Sequence, residues 1–247
     1  MDTVTVARRL RTLRHPRRAA SAVLTRAQAQ RILGFEPPEF RRLAREVLYT
    51  GRIDGWRYRQ DLALLYLLAR DVPGPGVTVE VGSFKGLATV ALATGVRHGG
   101  HEPVHTVDPH TGDRQDLEAR GLEALPSEQE FRRNIREAGV DHLVTGYTMT
   151  SDELAACWPG HPVRVLFIDG WHGYDAVASD IRNWVPLLTA DGVVVVDDYR
   201  NYDEVRAAVD DAGDVLPPHR RPAGRMRLAH RAPLPPQVER FLHIPWG

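Results

Sequence analysis

Two short apolar runs, each ending in aspartate, lie within residues 163–198, VRVLFIDGWHGYDAVASDIRNWVPLLTADGVVVVDD. The runs at 163–168 and 192–196 are too short for core helices and rich in branched and aromatic side chains, so both are predicted to be buried strands. Between them, apolar residues recur with helical spacing over 174–188, which predicts a strand, helix, strand unit. Strands connected in this way are parallel, and their carboxyl ends lie at the same edge of the sheet.

Three aspartates follow these strands: Asp169 after the first, and Asp197 and Asp198 after the second. Three carboxylates gathered at one edge repel one another unless a cation lies between them. Oxygen ligands suit a hard divalent ion such as Mg²⁺. The sequence therefore predicts a metal site at the carboxyl edge, where open sheets of this kind bind their ligands.

Strands and helices alternate along much of the remaining chain. The predicted elements are a helix at 60–70, a strand at 77–81, a helix at 85–94, a strand at 105–107, a helix at 127–138 with Ser127 and Glu130 as a capping box, a strand at 143–147, a helix at 151–158 capped by Ser151, a helix at 202–212, and a closing strand pair at 215–216 and 225–229. This alternation predicts an α/β fold with a doubly wound, Rossmann-like, mostly parallel sheet.

The 247-residue chain is long enough for one large domain with appendages or for two small domains, and we favour one. We expect a helical appendage at 1–55, with short helices within 4–13 and 25–48, a main domain at 56–232, and an irregular proline-rich tail at 233–247.

The charge balance and the cysteine content limit the classes of partner and compartment. Lysine and arginine together equal the acidic residues, 32 of each, so the chain as a whole has no attraction to nucleic acid or anionic membranes. The single cysteine, Cys157, indicates a reducing cytoplasm, and no apolar run is long enough to span a bilayer. Residues 1–35 are arginine-rich, which favours a surface or subunit contact, and we expect a homo-oligomer built through 1–55.

Residues 79–86, VEVGSFKG, join the first predicted strand to its helix, and the glycine at 82 allows a ligand to approach the backbone closely. Asp108 follows 26 residues later at the end of the second strand, where an acid can accept both hydrogen bonds of a ribose diol. A hydride cofactor would normally require G-x-G-x-x-G, but Glu80 occupies the place of the first glycine. Its negative charge disfavours a pyrophosphate and favours a cationic ligand.

The segments 80–86, EVGSFKG, and 108–112, DPHTG, resemble those of class I S-adenosylmethionine-dependent methyltransferases, and the resemblance extends over roughly residues 56–205. The segments 167–174 and 196–199 are similar to those of the metal-dependent branch that methylates sugar hydroxyls, which includes the macrocin and mycinamicin O-methyltransferases.

This resemblance implies specific roles for the residues at the predicted carboxyl edge. It implies that the methionine part and the ribose and adenine of the donor contact Glu80, Gly82, Ser83, Lys85, Gly86, Asp108, Thr150, Ser151 and Asp169. It also implies that Asp169, Asp197 and Asp198 bind the metal and that His172 is the general base, with Asp169 as the second catalytic residue. Trp171 departs from the common family form, which has a polar residue there.

The predicted function is an S-adenosylmethionine- and Mg²⁺-dependent O-methyltransferase (or one using another divalent cation). Its acceptor would be a sugar hydroxyl of an oligosaccharide or polysaccharide precursor or of a glycosylated metabolite. A catechol-type phenol O-methyltransferase is the alternative within the fold, and His172 with the paired acids favours the sugar enzyme over it. A non-catalytic nucleotide-binding module and an NAD-linked enzyme are alternatives of other classes.

Overall fold

The computed structural model describes residues 36–55, 57–111 and 126–243. The arginine-rich residues 1–35, which carry much of the expected oligomer contact, lie outside the described part of the chain, as do Trp56 and Gly112. None of the helices described is both long enough and apolar enough to cross a bilayer.

The described helices and strands alternate as the sequence predicts. The helices are α1 (Pro38–Leu43), α2 (Arg59–Asp71), α3 (Leu87–Gly99), α4 (Glu128–Glu137), α5 (Ser151–Ala156), α6 (Tyr174–Trp184), α7 (Asp203–Asp211) and α8 (Pro236–Leu242). The strands are β1 (Val77–Val81), β2 (Val104–Val107), β3 (Val144–Tyr147), β4 (Val163–Ile168), β5 (Leu188–Val196), β6 (His219–Ala223) and β7 (Met226–His230). Short π-helical and 3₁₀ segments lie at Ala44–Leu48, Asp141–Leu143 and Val185–Leu187.

The described strands form one seven-stranded sheet in the order β3-β2-β1-β4-β5-β7-β6. The pairings from β3 to β5 are parallel, and β7 is antiparallel to both β5 and β6. This confirms the predicted mostly parallel, doubly wound sheet. The order reverses between β1 and β4, so the carboxyl ends of these two strands flank the crevice in which such sheets bind ligands.

Apolar side chains on both faces of the central strands explain why helices cover both sides of the sheet. All residues of β1 and β4 are buried. Val165 and Phe167 pack in the core that includes α2 and α3, whereas Leu166 and Ile168 pack in the core that includes α6 and α7. Strands buried on both faces are typical of parallel sheets.

Local hydrogen bonds at two helix starts differ from the sequence prediction. The predicted capping box of Ser127 and Glu130 is wrong, since the Ser127 hydroxyl lies 2.9 Å from His110 Nδ1 and Glu130 pairs with Lys85 at 2.8 Å. Thr150, rather than Ser151, caps α5 by accepting the Glu153 amide.

Two features near the carboxyl terminus also differ from expectation. The closing strands begin at His219 and Met226, rather than at 215 and 225. The tail is not wholly irregular, because α8 forms there and buries Val238 and Phe241. Its first residue is Pro236, and proline fits the first turn of a helix because the amide it lacks would have no partner there.

Candidate functional site

The turn after β1 requires glycine because of its backbone conformation and its close neighbours. Gly82 has φ +86°, and a Cβ there would collide with the carbonyl of Asp169 and the Cα of Gly170. Gly86, which also has φ +86°, is the N-cap residue that precedes α3, so the helix starts at Leu87, two residues later than predicted. The turns that follow β1 and β4 therefore pass within contact distance of each other at the carboxyl edge.

Asp108 fastens the end of β2 to the glycine turn. Its Oδ2 accepts the backbone N–H groups of Ser83 at 2.9 Å and Phe84 at 2.7 Å, and its Oδ1 accepts that of His110 at 2.7 Å. The structure thus places the acid expected for the ribose beside the turn expected for the donor. A carboxylate has about four acceptor positions, so these three bonds leave room for a ligand hydroxyl.

Glu80 lies fully buried on β1, beneath the same turn. The Thr89 hydroxyl donates to its Oε2 at 2.6 Å, and burial raises the pKa of Glu80 to about 7. Glu80 Oε1 and the hydroxyl of Ser83 are buried and have no hydrogen-bond partner among the described residues. Unpaired buried polar atoms are costly, so their presence around this turn favours a site that a polar ligand completes.

The other residues expected to contact the donor have partners within the protein. Lys85 Nζ lies 2.8 Å from Glu130 and 3.4 Å from Asp54, so it ties α4 to the segment ahead of α2. Thr150 and Ser151 begin α5 after the carboxyl end of β3, and the Ser151 hydroxyl accepts the Trp184 indole N–H at 2.7 Å. Contact of these three residues with the donor stays a prediction.

The acids that follow β4 and β5 lie side by side, as the sequence predicts. The Asp169 amide donates to Val81 O at 2.8 Å, and the Asp197 amide donates to Ile168 O at 2.9 Å, so the strand ladder continues into these residues. Asp198 has φ +55°, which is unusual for a residue with a side chain and is found at functional sites whose surroundings enforce it.

His172 faces Asp198 and lies on an aromatic ring. Its Nε2 is 3.0 Å from Asp198 Oδ2, and its ring is stacked on that of Tyr202. Burial by itself raises the pKa of Asp198, but the hydrogen bond from His172 and the charge of Arg225 outweigh burial and hold its pKa at about 2. Asp198 is therefore ionised at neutral pH.

The cluster of candidate cation ligands includes only part of the predicted trio. Asp169, His172 and Asp198 each offer one ligand atom, and these atoms all lie within 4.8 Å of one another. Asp197 does not belong to this cluster, because its Oδ2 pairs with Arg57 and, at 2.9 Å, with Arg225. Asp197 Oδ1 is buried and without a hydrogen-bond partner among the residues described.

Arg57 and Arg225 are functional-site residues that the sequence reasoning missed. Arg57, ahead of α2, pairs with both Asp169 and Asp197. Arg225, in the turn between β6 and β7, lies 2.9 Å from Asp197 and 3.4 Å from Asp198. Burial and the neighbouring Arg225 lower the pKa of Arg57 to about 10, so its guanidinium is still charged at neutral pH. The sequence indicated that such residues exist, because acids clustered at one edge of the sheet need positively charged partners.

Comparison with known proteins agrees with this geometry. Residues 79–199 match the model of the family Methyltransf_24, a methyltransferase domain. Among solved structures, the O-methyltransferase NovP is 24% identical, with a TM-score of 0.60 over 71% of this chain and 81% of that chain. CalS11, a calicheamicin methyltransferase, is 18% identical, with a TM-score of 0.52 over 84% and 92%.

The O-methyltransferase TomG from Streptomyces achromogenes, which is involved in tomaymycin synthesis, was solved in complex with S-adenosylmethionine. It is 18% identical, with a TM-score of 0.50 over 79% of this chain and 90% of that chain. At these identities the structural likeness establishes a shared fold. Together with the family match over residues 79–199 and the strand order, it supports the resemblance seen in the sequence to the class I S-adenosylmethionine-dependent methyltransferases: residues 79–199 carry a methyltransferase domain.

Proposed function

We propose that this methyltransferase methylates a sugar hydroxyl of an oligosaccharide or polysaccharide precursor or of a glycosylated metabolite. It uses a divalent cation such as Mg²⁺, with His172 as the general base. The observation that carries the proposal is the convergence of Asp169, His172 and Asp198 within 4.8 Å at the sheet edge that also holds the glycine turn. A base, acidic ligands and a donor-type turn are the parts that O-methyl transfer needs in one place.

The donor fits the turn after β1. The unpaired atoms of Glu80 and Ser83 and the carboxylate of Asp108 suit a ligand with polar groups at both ends. When bound, S-adenosylmethionine supplies an electrophilic methyl group. The protein then has to hold the acceptor oxygen in line with that methyl group, because alignment lowers the barrier to direct displacement.

The charges at the carboxyl edge suit a divalent cation. Among the described residues, four carboxylates, those of Asp61, Asp169, Asp197 and Asp198, pair with two guanidinium groups, those of Arg57 and Arg225, and Asp198 also pairs with His172. Asp169 and Asp198 would hold the ion, and Asp197 would join them if its guanidinium partners moved aside. A bound divalent ion lowers the pKa of a coordinated hydroxyl.

His172 is placed to accept the proton of the acceptor hydroxyl. Asp198 accepts a hydrogen bond from Nε2, which leaves Nδ1 as the nitrogen that takes up the proton. The charge of Asp198 then stabilises the imidazolium, as an aspartate does in other acid-histidine pairs. Asp169, the other catalytic residue, lies within the same cluster and orients the acceptor.

Exposed aromatic residues beside the base favour a sugar ring as the acceptor. Trp171 is 39% exposed and Tyr202 is 42% exposed, and both adjoin His172, Trp171 in sequence and Tyr202 through its stacked ring. Large rings at a water-exposed edge bury the apolar faces of a ligand and leave its hydroxyls free to hydrogen-bond.

A transfer assay with methyl-labelled donor tests the proposal. The acceptors are a panel of sugars, glycosides and catechols, each with Mg²⁺ or with a chelator. We expect label on a sugar or glycoside that depends on Mg²⁺. If only catechols are labelled, the acceptor is a phenol rather than a sugar. If the chelator does not reduce transfer, the mechanism does not use a divalent cation.

A further inference from the structure

Arg57 lies inside the acid cluster rather than at its rim. Its side chain is 9% exposed, and its two terminal nitrogens contact Asp197 and Asp169. The guanidinium carbon also lies 5.1 Å from the centre of the Phe167 ring, so an aromatic face holds the group from β4. A buried arginine with two carboxylate partners takes the place that a cation would otherwise fill.

The partners of Asp169 differ from those of its neighbours. Asp197 pairs with Arg225 as well as Arg57, and Asp198 pairs with Arg225 as well as His172. Among the described residues, Arg57 is the only basic side chain that pairs with Asp169. Asp169, like Asp198, is an acid that both the sequence prediction and the observed cluster assign to the cation.

We propose that Arg57 is an internal counter-ion of the acid cluster, and that a divalent cation must compete with its guanidinium for Asp169. This inference rests on the proposed cation site. In the cation-free protein the single positive charge of the guanidinium offsets part of the negative charge of Asp169 and Asp197, so the three aspartates can lie together before the ion arrives.

Competition follows from the charges involved. A divalent ion on Asp169 and a guanidinium on the same carboxylate are positive groups at short range in a site with little water, where their repulsion is strong. Binding of the ion therefore displaces Arg57 or is weakened by it. In either case the affinity for the cation depends on Arg57, and Arg57 acts as a positioning residue rather than a catalytic one.

The test is a measurement of Mn²⁺ binding, by calorimetry and by electron paramagnetic resonance, with neither donor nor acceptor present. Arg57→Met keeps the length of the side chain and removes its charge, and Arg57→Lys keeps the charge. Arg59→Met is the matched control, because Arg59 lies two residues away and pairs with Glu36 at 2.7 Å rather than with the acid cluster. The melting temperature of each variant establishes that it is folded.

We expect Arg57→Met to bind Mn²⁺ about 10-fold more tightly or better, because a unit positive charge at contact distance has been removed. Arg59→Met should stay close to the parent protein, and Arg57→Lys, which keeps the charge but has a shorter reach, should show a smaller gain than Arg57→Met. If Arg57→Met does not fold, Arg57→Lys provides the second measurement. Its shorter side chain should compete less well with Mn²⁺ for Asp169 than the arginine does, so its Mn²⁺ affinity should be measurably higher than that of the parent protein.

Two results would overturn the inference, and they are distinguishable. Unchanged or weaker Mn²⁺ binding in a folded Arg57→Met protein would mean that Arg57 does not compete, while the cation site itself would stand. No Mn²⁺ binding in any variant would remove the cation from the proposed function and the inference with it. Calorimetry with S-adenosylhomocysteine on the same samples reports separately whether the donor site is intact.

Discussion

The imidazole of His172 lies flat against the phenol ring of Tyr202, with ring centroids 4.1 Å apart and planes inclined by 9°. His172 follows β4 and Tyr202 precedes α7, so the stack joins segments from two neighbouring strand ends. The hydrogen bond to Asp198 fixes the edge of the same ring. Stack and hydrogen bond together hold the proposed base in one orientation.

Replacing the ring of Tyr202 should slow the reaction without weakening donor binding. Aromatic pairs are worth about 0.5–1.5 kcal/mol, so we expect Tyr202→Leu to lower kcat by roughly 2- to 12-fold. Tyr202→Phe keeps the ring and should retain most of the rate. Steady-state kinetics would measure both, and equal losses in the two variants would assign the effect to the hydroxyl rather than to the stack.

Removing the imidazole of His172 should lower kcat far more than replacing Tyr202. We expect His172→Ala to lower kcat by about 10²–10⁴-fold, the usual contribution of a general base. The affinity for S-adenosylhomocysteine should stay near that of the parent, because His172 is not among the predicted donor contacts. Single-turnover rates and calorimetry provide the two measurements. A His172→Ala protein with an unchanged rate would show that another group takes the proton.

The central strands were predictable because their sequence signals are strong and local. The runs at 163–168 and 192–196 are short, apolar and followed by acid; the first matches β4, and the second matches the last five residues of β5, which begins four residues earlier, at Leu188, where a helix was predicted. Parallel strands align their carboxyl ends, so the meeting of Asp169 with Asp198 followed from the topology.

Contacts between distant segments were not predictable in this way. Arg57 and Arg225 reach the acids from outside the alternating strand and helix units, and an isolated arginine in an arginine-rich chain carries no spacing signal. Ser127 failed as a cap for a similar reason, since His110 lies close enough to engage its hydroxyl. In each case a tertiary neighbour, absent from the local pattern, decides the partner.

Loss of the Asp108 carboxylate should loosen the glycine turn. Its oxygens accept three backbone N–H groups, and a hydrogen bond to a charged group is worth about 1.5–3 kcal/mol. We therefore expect Asp108→Ala to lower the free energy of unfolding by about 2 kcal/mol or more, and to weaken binding of S-adenosylhomocysteine. Glu137→Ala removes an exposed acid from α4 and is the control. Denaturant titration and calorimetry test both effects, and retained donor-product affinity would contradict the role of Asp108.

Glu80 should make the protein less stable as the pH rises through neutrality. Burial raises its pKa from 4.5 to about 7, so between these values the unfolded chain releases a proton that the folded protein keeps. The unfolded state then binds fewer protons, and the free energy of unfolding falls across this window by an amount on the order of 3 kcal/mol. Above pH 7 this contribution is lost and the curve flattens.

Glu80→Gln should remove that part of the pH dependence, so its stability relative to the parent protein should increase from pH 5 to pH 8. Burial likewise raises the pKa of Asp180 to about 7, so the variant should keep a residual slope that Asp180→Asn removes in turn. Asp198 does not enter this window, because its pKa of about 2 places its titration in acid. Urea unfolding at unit steps of pH measures each slope, and a Glu80→Gln slope equal to that of the parent would mean that Glu80 is already ionised in the folded protein.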